Sequence, residues 1–372
     1  KNHLKLVNPH FEYLFYPSEN KKAFQMAIFT QRNNFMKILI LRFSSIGDII
    51  LTTPVIRALK TQIDDVKIHF ATKERYAKLL EENPYIDQIH QLINKESDLI
   101  TELKAEKFDL IIDLHHNLRT WLIQKRLGVK AYKYDKLNIK KWLYTNLKID
   151  RLPNLHIVDR YLATLAPLHI KPDTLGLDFF IPEKDEVQNN WLPITHQNGY
   201  IAVVIGATYH TKRLPPNRLI ELCDRINQPI ILLGDEYDRS IGDQIYRFFE
   251  KNSTQSLNEE DIRLKLGKKA VVFNACGKFN LNQSASIIKN ANFVFTHDTG
   301  LMHVAAAFKK HIFSIWGNTT PKFGMYPYRT TFVVFENTQL KCRPCSKIGF
   351  EKCPKNHFKC MNNLTFDFYL PN

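Results

Sequence analysis

Short apolar runs alternate with amphipathic segments along most of this chain, and this alternation constrains its fold more than any other feature. The first run spans 37–43 and is followed by an amphipathic stretch over 48–60. Further runs lie at 66–71 and 108–114, the latter followed by a helical pattern from about Asn117. Such alternation is typical of βα units around a parallel sheet. We therefore predict an α/β fold.

A second series of apolar runs begins at 200–205. Its further predicted strands are 229–233, 270–273, 292–296 and 311–316. The polar, proline-containing stretch 182–198 separates the two series and is the expected linker. The pattern predicts two Rossmann-like domains, each with its own parallel sheet. Ligands of such sheets lie at the carboxyl ends of strands, so we expect the site in the cleft between the two domains.

The predicted organisation has four parts. These are an N-terminal extension without an assigned role (1–35), a first domain (36–190), a second domain (191–340) and a cysteine-rich tail (341–372). The extension lacks an apolar core with a small-residue cleavage site, so we do not expect a secretory signal. No apolar run approaches the ~20 residues that cross a bilayer, which predicts a soluble or peripheral protein.

The chain is strongly basic, with 52 Lys and Arg against 37 Asp and Glu and a formal net charge of +15. This charge suits an acidic partner, namely nucleic acid, anionic lipid headgroups or a phosphorylated substrate. Charge alone does not choose among the three. No helix-turn-helix, RNA-recognition or standard zinc-finger signature occurs, so nucleic-acid binding is the weaker alternative and is not expected.

Four of the six cysteines lie in the tail, at Cys342, Cys345, Cys353 and Cys360, with His357 nearby. Their spacing fits no standard zinc motif. A structural zinc site, a local disulfide and free thiols all remain open.

The segment 291–308 predicts a buried strand, an abrupt turn over 297–300 and a helix rich in small residues. Such a turn directs free backbone amides and a helix N-terminus at one point, which favours an anion. Gly300 permits close approach of a ligand, Thr299 offers a hydroxyl and Asp298 can accept hydrogen bonds from sugar hydroxyls. The structural alternative is that Asp298 caps the helix and Gly300 serves packing.

Comparable turns follow other predicted strands. Asp48 ends the loop after the first strand and begins a helix, where it serves either as a capping carboxylate or as an ionised general base. Thr208 and Lys212 lie in the loop after 200–205, placed to bind a pyrophosphate or simply to face solvent. Glu236 and Phe279 follow two later strands and suit a ribose and a base ring, or helix capping and packing. Neither G-x-G-x-x-G nor a Walker A motif occurs, which argues against a nicotinamide enzyme and a P-loop NTPase.

Three segments, found together in this order, resemble glycosyltransferase family 9, the ADP-heptose:lipopolysaccharide heptosyltransferases of the GT-B fold. They are 43–60, 206–212 and 298–303. The resemblance covers roughly 36–326. It implies a GT-B fold with two Rossmann-like domains facing a cleft, and a heptosyl transfer from ADP-heptose to the lipopolysaccharide inner core.

The resemblance also implies roles for matching residues. Asp48 matches the catalytic base, and Asp298 the acid that engages the donor sugar. The donor-phosphate contacts match Thr208, Lys212, Thr299, Gly300 and Leu301, and the ribose and adenine contacts fall near Glu236 and Phe279. His303 matches a histidine of the family, and a role in packing is at least as good an interpretation of it as a role in the reaction. The segment 365–370 departs from the family because it fits poorly as a final helix.

The expected reaction is an inverting displacement without a metal, since no Asp-x-Asp occurs to hold one. The acceptor is expected to be anionic, and Arg42, Arg57, His115 and Arg119 are its candidate contacts. We expect a cytoplasmic enzyme, peripheral on the inner membrane through electrostatic attraction. Another GT-B sugar-nucleotide enzyme, such as an epimerase, is the alternative.

Overall fold

The computed structural model describes residues 35–254 and 270–370, so nearly all of the predicted extension 1–35 lies outside the described residues. Their strands form two sheets, one of five strands and one of six. Every strand pair in both sheets is parallel. The structure thus has the α/β architecture of two parallel sheets that the alternation predicts.

The first sheet has the strand order β3-β2-β1-β4-β5. Its strands are β1 (Met36–Leu41), β2 (Val66–Lys73), β3 (Gln88–Leu92), β4 (Leu110–Asp113) and β5 (Ala131–Lys133). Strand β1 lies at the centre, with Ile38 opposite Ile68 on one side and Leu110 on the other. Because helices cover both faces of a parallel sheet, its central strand is apolar on both sides.

Among the described residues, seven α-helices accompany the first sheet. They are α1 (Ile46–Ile50), α2 (Thr53–Gln62), α3 (Glu74–Ala77), α4 (Glu96–Glu106), α5 (Leu118–Leu127), α6 (Asn138–Trp142) and α7 (Ile157–Leu162). The prediction of a single helix over 48–60 was wrong, because the segment is divided between α1 and α2. The hydroxyls of Thr52 and Thr53 donate to the carbonyls of Ile49 and Ile50, and Pro54 has no amide to continue the ladder.

The second sheet has the order β11-β10-β9-β6-β7-β8. Its strands are β6 (Ile201–Val204), β7 (Ile230–Leu233), β8 (Val272–Asn274), β9 (Phe293–His297), β10 (Ile312–Trp316) and β11 (Phe332–Glu336). The accompanying helices are α8 (Pro216–Ile226), α9 (Arg239–Thr254), α10 (Leu281–Asn290), α11 (Gly300–Ala307) and α12 (Lys359–Asn362). The loops after β9, β6, β7 and β8 therefore lie side by side in that order along one edge.

Each predicted strand is present, whereas β3, β5 and β11 were not predicted. All three are edge strands. An edge strand has a neighbour on one side only and is often short or polar, so it lacks the continuous apolar run that identifies an inner strand. Strand β5 has only three residues, none of them buried.

One cluster of buried apolar residues joins the two sheets, with Ile38 and Ile40 of β1 and Val294 of β9 among its members. The final segment is not helical after Asn362, in keeping with its poor helical pattern. It packs on the second sheet instead, where Phe366 is buried and the Phe368 ring lies 5.0 Å from that of Phe295. None of the helices among the described residues has the length and apolar character of a membrane span.

Candidate functional site

The loop from β1 to α1 holds Asp48 in a fixed orientation. Asp48 is the third residue of α1 and Ser45 precedes that helix. The Ser45 amide donates to Asp48 Oδ2 at 3.2 Å and its hydroxyl donates to the same oxygen at 2.9 Å. This is the capping-box arrangement, in which a first-turn side chain satisfies the amide before the helix. It leaves Oδ1 for a second partner.

That partner is Arg42, the residue after β1. Its Nη2 lies 2.7 Å from Asp48 Oδ1. The buried guanidinium also donates to the Ser44 carbonyl, the Leu114 carbonyl and the Tyr161 hydroxyl. Burial alone would raise the pKa of Asp48, but Arg42 and the Ser45 hydrogen bonds outweigh it and lower that pKa. Asp48 is therefore ionised at neutral pH.

Lys212 and Asp298, predicted separately from two loops, form an ion pair. Lys212 ends a short 3-10 turn (His210–Lys212) after β6, and Asp298 follows β9. Lys212 Nζ lies 2.7 Å from Asp298 Oδ2 and donates to the Asp298 carbonyl at 3.2 Å. The hydroxyl of Thr319 donates to the same carboxylate at 2.9 Å. Thr319 was missed because nothing in its local sequence indicates this contact.

Thr299 directly precedes α11, whose first residues are Gly300 and Leu301. The first amides of a helix have no partner within it, so this turn presents donors beside Lys212. Thr208 is exposed in the loop between β6 and the 3-10 turn. The structure thus brings the predicted phosphate contacts to two neighbouring loops of one sheet edge.

Glu236 and Phe279 lie further along the same edge, after β7 and β8. Glu236 is largely exposed and lies 2.8 Å from Arg239 Nη2. Arg239 in turn donates to the Gly277 carbonyl at 3.2 Å, which joins the two loops. Phe279 is partly buried against the core. Glu236 and Phe279 thus lie in loops that directly follow strands, as the sequence predicts.

Arg213 and Asp238 connect the loops after β6 and β7, and sequence reasoning missed both. Arg213 Nη1 lies 2.9 Å from Asp238 Oδ1, and its Nε donates to the Ala207 carbonyl at 2.6 Å. This ion pair fixes the loop that carries Thr208 and Lys212. The signal for Arg213 was its position beside Lys212, whereas Asp238 carried no local signal.

The two domains meet at the site through two glycines. A Cβ on Gly300 would lie 2.7 Å from Ile46 Cγ2 and 3.3 Å from the Gly47 amide nitrogen. A Cβ on Gly47 would lie 2.6 Å from Cδ2 of the buried His303. The helix that carries Asp48 therefore packs directly on the N-terminal turn of α11, which only hydrogen at both glycines permits.

His303 lies between the charged groups of both domains. Burial lowers its pKa to about 4, and the charges of Asp298, Asp48 and Lys212 all act on it. It is therefore neutral at pH 7, and its contact with Gly47 gives it a packing role. The charges of Asp48, Asp298 and Lys212 therefore surround one buried histidine.

The four candidate acceptor contacts have different environments. Arg57 is only 2% exposed, and its guanidinium contacts Asp173, Asp178 and the Gly176 carbonyl. All three of its guanidinium nitrogens are engaged by these residues, which favours a structural role for Arg57 over the predicted contact with the acceptor. Arg42 is likewise buried and engaged.

Arg119 and His115 flank the loop of Asp48. The Arg119 guanidinium lies 5.6 Å from the centre of the Phe43 ring and pairs with Glu96. The pKa of His115 is lowered to about 3, first by burial and then by Arg42. Arg119 is partly exposed and keeps its place as a candidate contact.

Two lysines that were not predicted bring positive charge to Asp48. The charges of Lys136 and Lys141 both interact with that of the Asp48 carboxylate. Burial lowers the pKa of Lys141 to about 8, and Arg160 adds to this effect. Lys136 lies between β5 and α6 and Lys141 lies in α6, and neither belongs to a recognised motif.

No disulfide joins the four tail cysteines. Cys342 Sγ lies 3.8 Å from His357 Nε2, and Cys345 Sγ contacts the Cys342 carbonyl at 3.0 Å. Among the described residues, one group of three potential metal ligands has its ligand atoms within 4.8 Å of one another, namely His69, His90 and Glu106. In that group His69 and His90 hydrogen-bond each other and Lys37 pairs with Glu106.

Comparison with known proteins agrees with this geometry. A family model described as glycosyltransferase family 9 (heptosyltransferase) matches residues 97–354. Lipopolysaccharide heptosyltransferase 1 of Campylobacter coli is 23% identical over 310 residues, which cover 76% of this chain and 84% of that protein. Lipopolysaccharide heptosyltransferase 3 of Escherichia coli K12 is 25% identical over 296 residues, covering 74% and 81%.

Solved structures confirm the predicted fold. A family 9 glycosyltransferase from Veillonella parvula superposes with a TM-score of 0.62 and 22% identity, covering 82% of this chain and 87% of that chain. The ADP-heptose lps heptosyltransferase II of E. coli gives a TM-score of 0.60 and 20% identity, covering 88% and 98%. The two parallel sheets are thus arranged as in the GT-B fold.

Proposed function

This chain belongs to glycosyltransferase family 9 and is a glycosyltransferase, and we propose that it transfers heptose from ADP-heptose to the lipopolysaccharide inner core with Asp48 as general base. The similar proteins are lipopolysaccharide heptosyltransferases, one of them described as using ADP-heptose, which supports this donor and acceptor. The observation that carries the proposal is the contact between Gly47 and Gly300. It joins the helix of Asp48 in one domain to the turn at Gly300 in the other, to which we assign the donor phosphates.

The proposed reaction is a single displacement. A hydroxyl oxygen of the acceptor attacks the anomeric carbon of the donor, and the bond from that carbon to the diphosphate oxygen breaks. Asp48 takes the hydroxyl proton, and ADP leaves with the electron pair. Attack from the face opposite the leaving group inverts the anomeric centre.

The environment of Asp48 suits a base that must be ionised at rest. Arg42 holds the carboxylate charged, and Ser45 fixes its orientation. A lowered pKa also weakens the carboxylate as a base, so proton transfer is expected late, when the attacking hydroxyl has become acidic. A positioned base of this kind contributes about 10²–10⁴ in rate.

The leaving diphosphate requires positive charge and hydrogen-bond donors that are already in place. Lys212, the Thr208 hydroxyl and the amides of residues 299–301 are the groups that we assign to it. In the described structure Lys212 pairs with Asp298. On donor binding, Lys212 is expected to turn to the phosphates, which frees Asp298 to accept hydrogen bonds from the sugar.

The metal-independent mechanism is also part of the proposal. Its support is that an ammonium group, a hydroxyl and backbone amides are available to bind the diphosphate, and that the chain contains no Asp-x-Asp motif. Turnover is expected to continue in excess chelator, measured as release of ADP. Activity that chelator abolishes and magnesium restores would contradict this part of the proposal.

The acceptor is proposed to be anionic and bound on the first domain. Lys136 and Lys141 interact electrostatically with Asp48, and Arg119 lies over Phe43 at the start of the same loop. An acceptor attached to lipid would require an enzyme that is peripheral on the cytoplasmic face of the inner membrane.

The decisive experiment separates chemistry from donor binding. Asp48→Asn is expected to lower turnover by about 10²–10⁴, while ADP still raises the melting temperature as in the unchanged protein. Asp98→Asn is the matched control, because Asp98 is also the third residue of a helix but is exposed on α4. Near-normal turnover of Asp48→Asn would refute the base, and stabilisation by another nucleotide in preference to ADP would refute the donor.

A further inference from the structure

Residues 138–149, called here the 138–149 segment, expose an unusual amount of apolar surface. The segment consists of α6, a π-helical turn (Leu143–Leu147) and two following residues. Ile139 is 77% and Trp142 52% exposed, and Leu147 and Ile149 are exposed as well. None of the five residues of α6 is buried. A helix with this composition normally has an apolar partner.

The same segment is positively charged. It contains Lys140, Lys141 and Lys148 and no Asp or Glu. Exposed Trp, Ile and Leu side chains among lysines are the composition of segments that lie in the interface of an anionic bilayer. The exposed Lys140 attracts the headgroups, and the apolar side chains enter the boundary beneath them.

The segment is held in place by the rest of the protein. The Tyr144 ring lies 6.2 Å from that of Phe323. Lys148 Nζ donates to the carbonyls of Cys342 at 3.1 Å and Pro344 at 2.7 Å. These contacts hold its inner side, so the exposed apolar side chains are presented from a fixed support.

Its position relates it to the site. Lys141 is part of the segment, and its charge interacts with that of Asp48. Lys136, two residues before the segment, does the same. A surface that binds this segment would therefore lie on the side of the first domain that carries Asp48.

A second segment provides a natural comparison. Trp191 is 49% and Ile194 80% exposed, almost the values of Trp142 and Ile139. The residues just before them are acidic, with Glu183, Asp185 and Glu186 against Lys184. The exposed Trp and Ile side chains of the two segments are therefore comparable, and of the two segments only 138–149 combines them with positive charge.

We propose that the 138–149 segment docks the enzyme on an anionic phospholipid surface, with Ile139 and Trp142 entering the interface. The inference rests on the proposed function only in one respect, that a lipid-linked acceptor gives such docking a purpose. The docking itself requires phospholipid alone.

The test is flotation with vesicles of phosphatidylglycerol and phosphatidylethanolamine, which contain no acceptor. The unchanged protein is expected to float with these vesicles and to remain behind with phosphatidylcholine vesicles. The double variant Ile139→Ser/Trp142→Ser is expected to bind about tenfold less. The matched variant Trp191→Ser/Ile194→Ser is expected to bind as the unchanged protein does.

Equal binding of the two double variants, or no flotation of the unchanged protein, would overturn the inference. Turnover of an acyl-free core oligosaccharide separates this outcome from failure of the proposed function. That turnover is expected to be the same in both double variants, because neither changes a residue assigned to the site. No turnover by the unchanged protein would contradict the proposed function and leave the flotation result valid.

Discussion

Arg42–Asp48 in the first domain and Lys212–Asp298 in the second are ion pairs of the same length, 2.7 Å, in different surroundings. The Arg42 guanidinium is buried and has three further acceptors. Among the described contacts, the Lys212 ammonium group has Asp298 as its partner and no other, and it ends a flexible side chain. The first pair is therefore part of the folded framework, whereas the second can exchange partners when a ligand arrives.

This difference explains two requirements of the proposed reaction. A general base needs one fixed position and one protonation state, which the surroundings of Arg42 and Asp48 provide. A cation for the leaving group must be free to follow the phosphates, so a pair that opens at low cost is suitable. An ion pair in a site is thus informative only together with the other contacts of its partners.

The largest effect that tests the comparison is expected from Arg42→Met. It leaves Asp48 and the acceptors of Arg42 without their cation, so we expect a loss of about 3 kcal/mol in the free energy of unfolding. Urea denaturation measures this loss. A change below 0.5 kcal/mol, roughly the level of an ordinary surface substitution, would contradict the structural role of this pair.

The same variant is expected to change the pH dependence of activity. Arg42 lowers the pKa of Asp48, whereas burial raises it. Without Arg42 the carboxylate becomes protonated at higher pH, so the acid limb of kcat/KM moves upward. Arg42→Lys retains the charge and is expected to move the limb less. An unmoved limb in Arg42→Met would show that another group controls it.

Lys212→Ala is expected to have a smaller effect on stability and a clear effect on the donor. Loss of one charge-assisted contact to phosphate lowers ADP affinity by about 10- to 100-fold, measured by calorimetry. The free energy of unfolding is expected to fall by less than the roughly 3 kcal/mol of Arg42→Met, because Thr319 still donates to Asp298. Lys104→Ala, an exposed lysine of α4, is the control. Unchanged ADP affinity would exclude Lys212 from the donor site.

Gly47→Ala tests the contact that places the two pairs together. The added methyl group meets His303, so we expect turnover to fall by about tenfold through displacement of α1. His303→Ala in the same chain makes room and is expected to restore part of the loss. If His303→Ala alone abolishes turnover, His303 has a chemical role and the packing assignment is wrong.

Much of the fold was predictable because its signals are local. The inner strands are continuous apolar runs, and the loops after them contain Asp48, Lys212 and Asp298 in recognisable order. The break between α1 and α2 and the edge strands were harder to predict. Thr52, Thr53 and Pro54 divide a helix that periodicity alone continues, and β5 is too short to show a pattern.

The site could be predicted as a set of residues but not as a set of contacts. Arg57 illustrates the limit, because an arginine after a strand-end motif suits an anionic acceptor as well as a buried structural role. Its partners Asp173 and Asp178 lie more than a hundred positions away. Lys141 shows the converse, because its charge acts on Asp48 although it lies in a helix without a recognisable motif.

The sequence alone determined that this chain forms βα units with polar, glycine-containing turns at the strand ends, because periodicity and turn chemistry act between near neighbours. Only the tertiary structure decided that Gly47 meets Gly300, that Arg42 is locked beside Asp48 and that Lys212 pairs with Asp298. The contacts between the domains depend on how two sheets pack across some 250 residues of chain. Packing of that range is set by the shape and charge of whole surfaces, which no local pattern records.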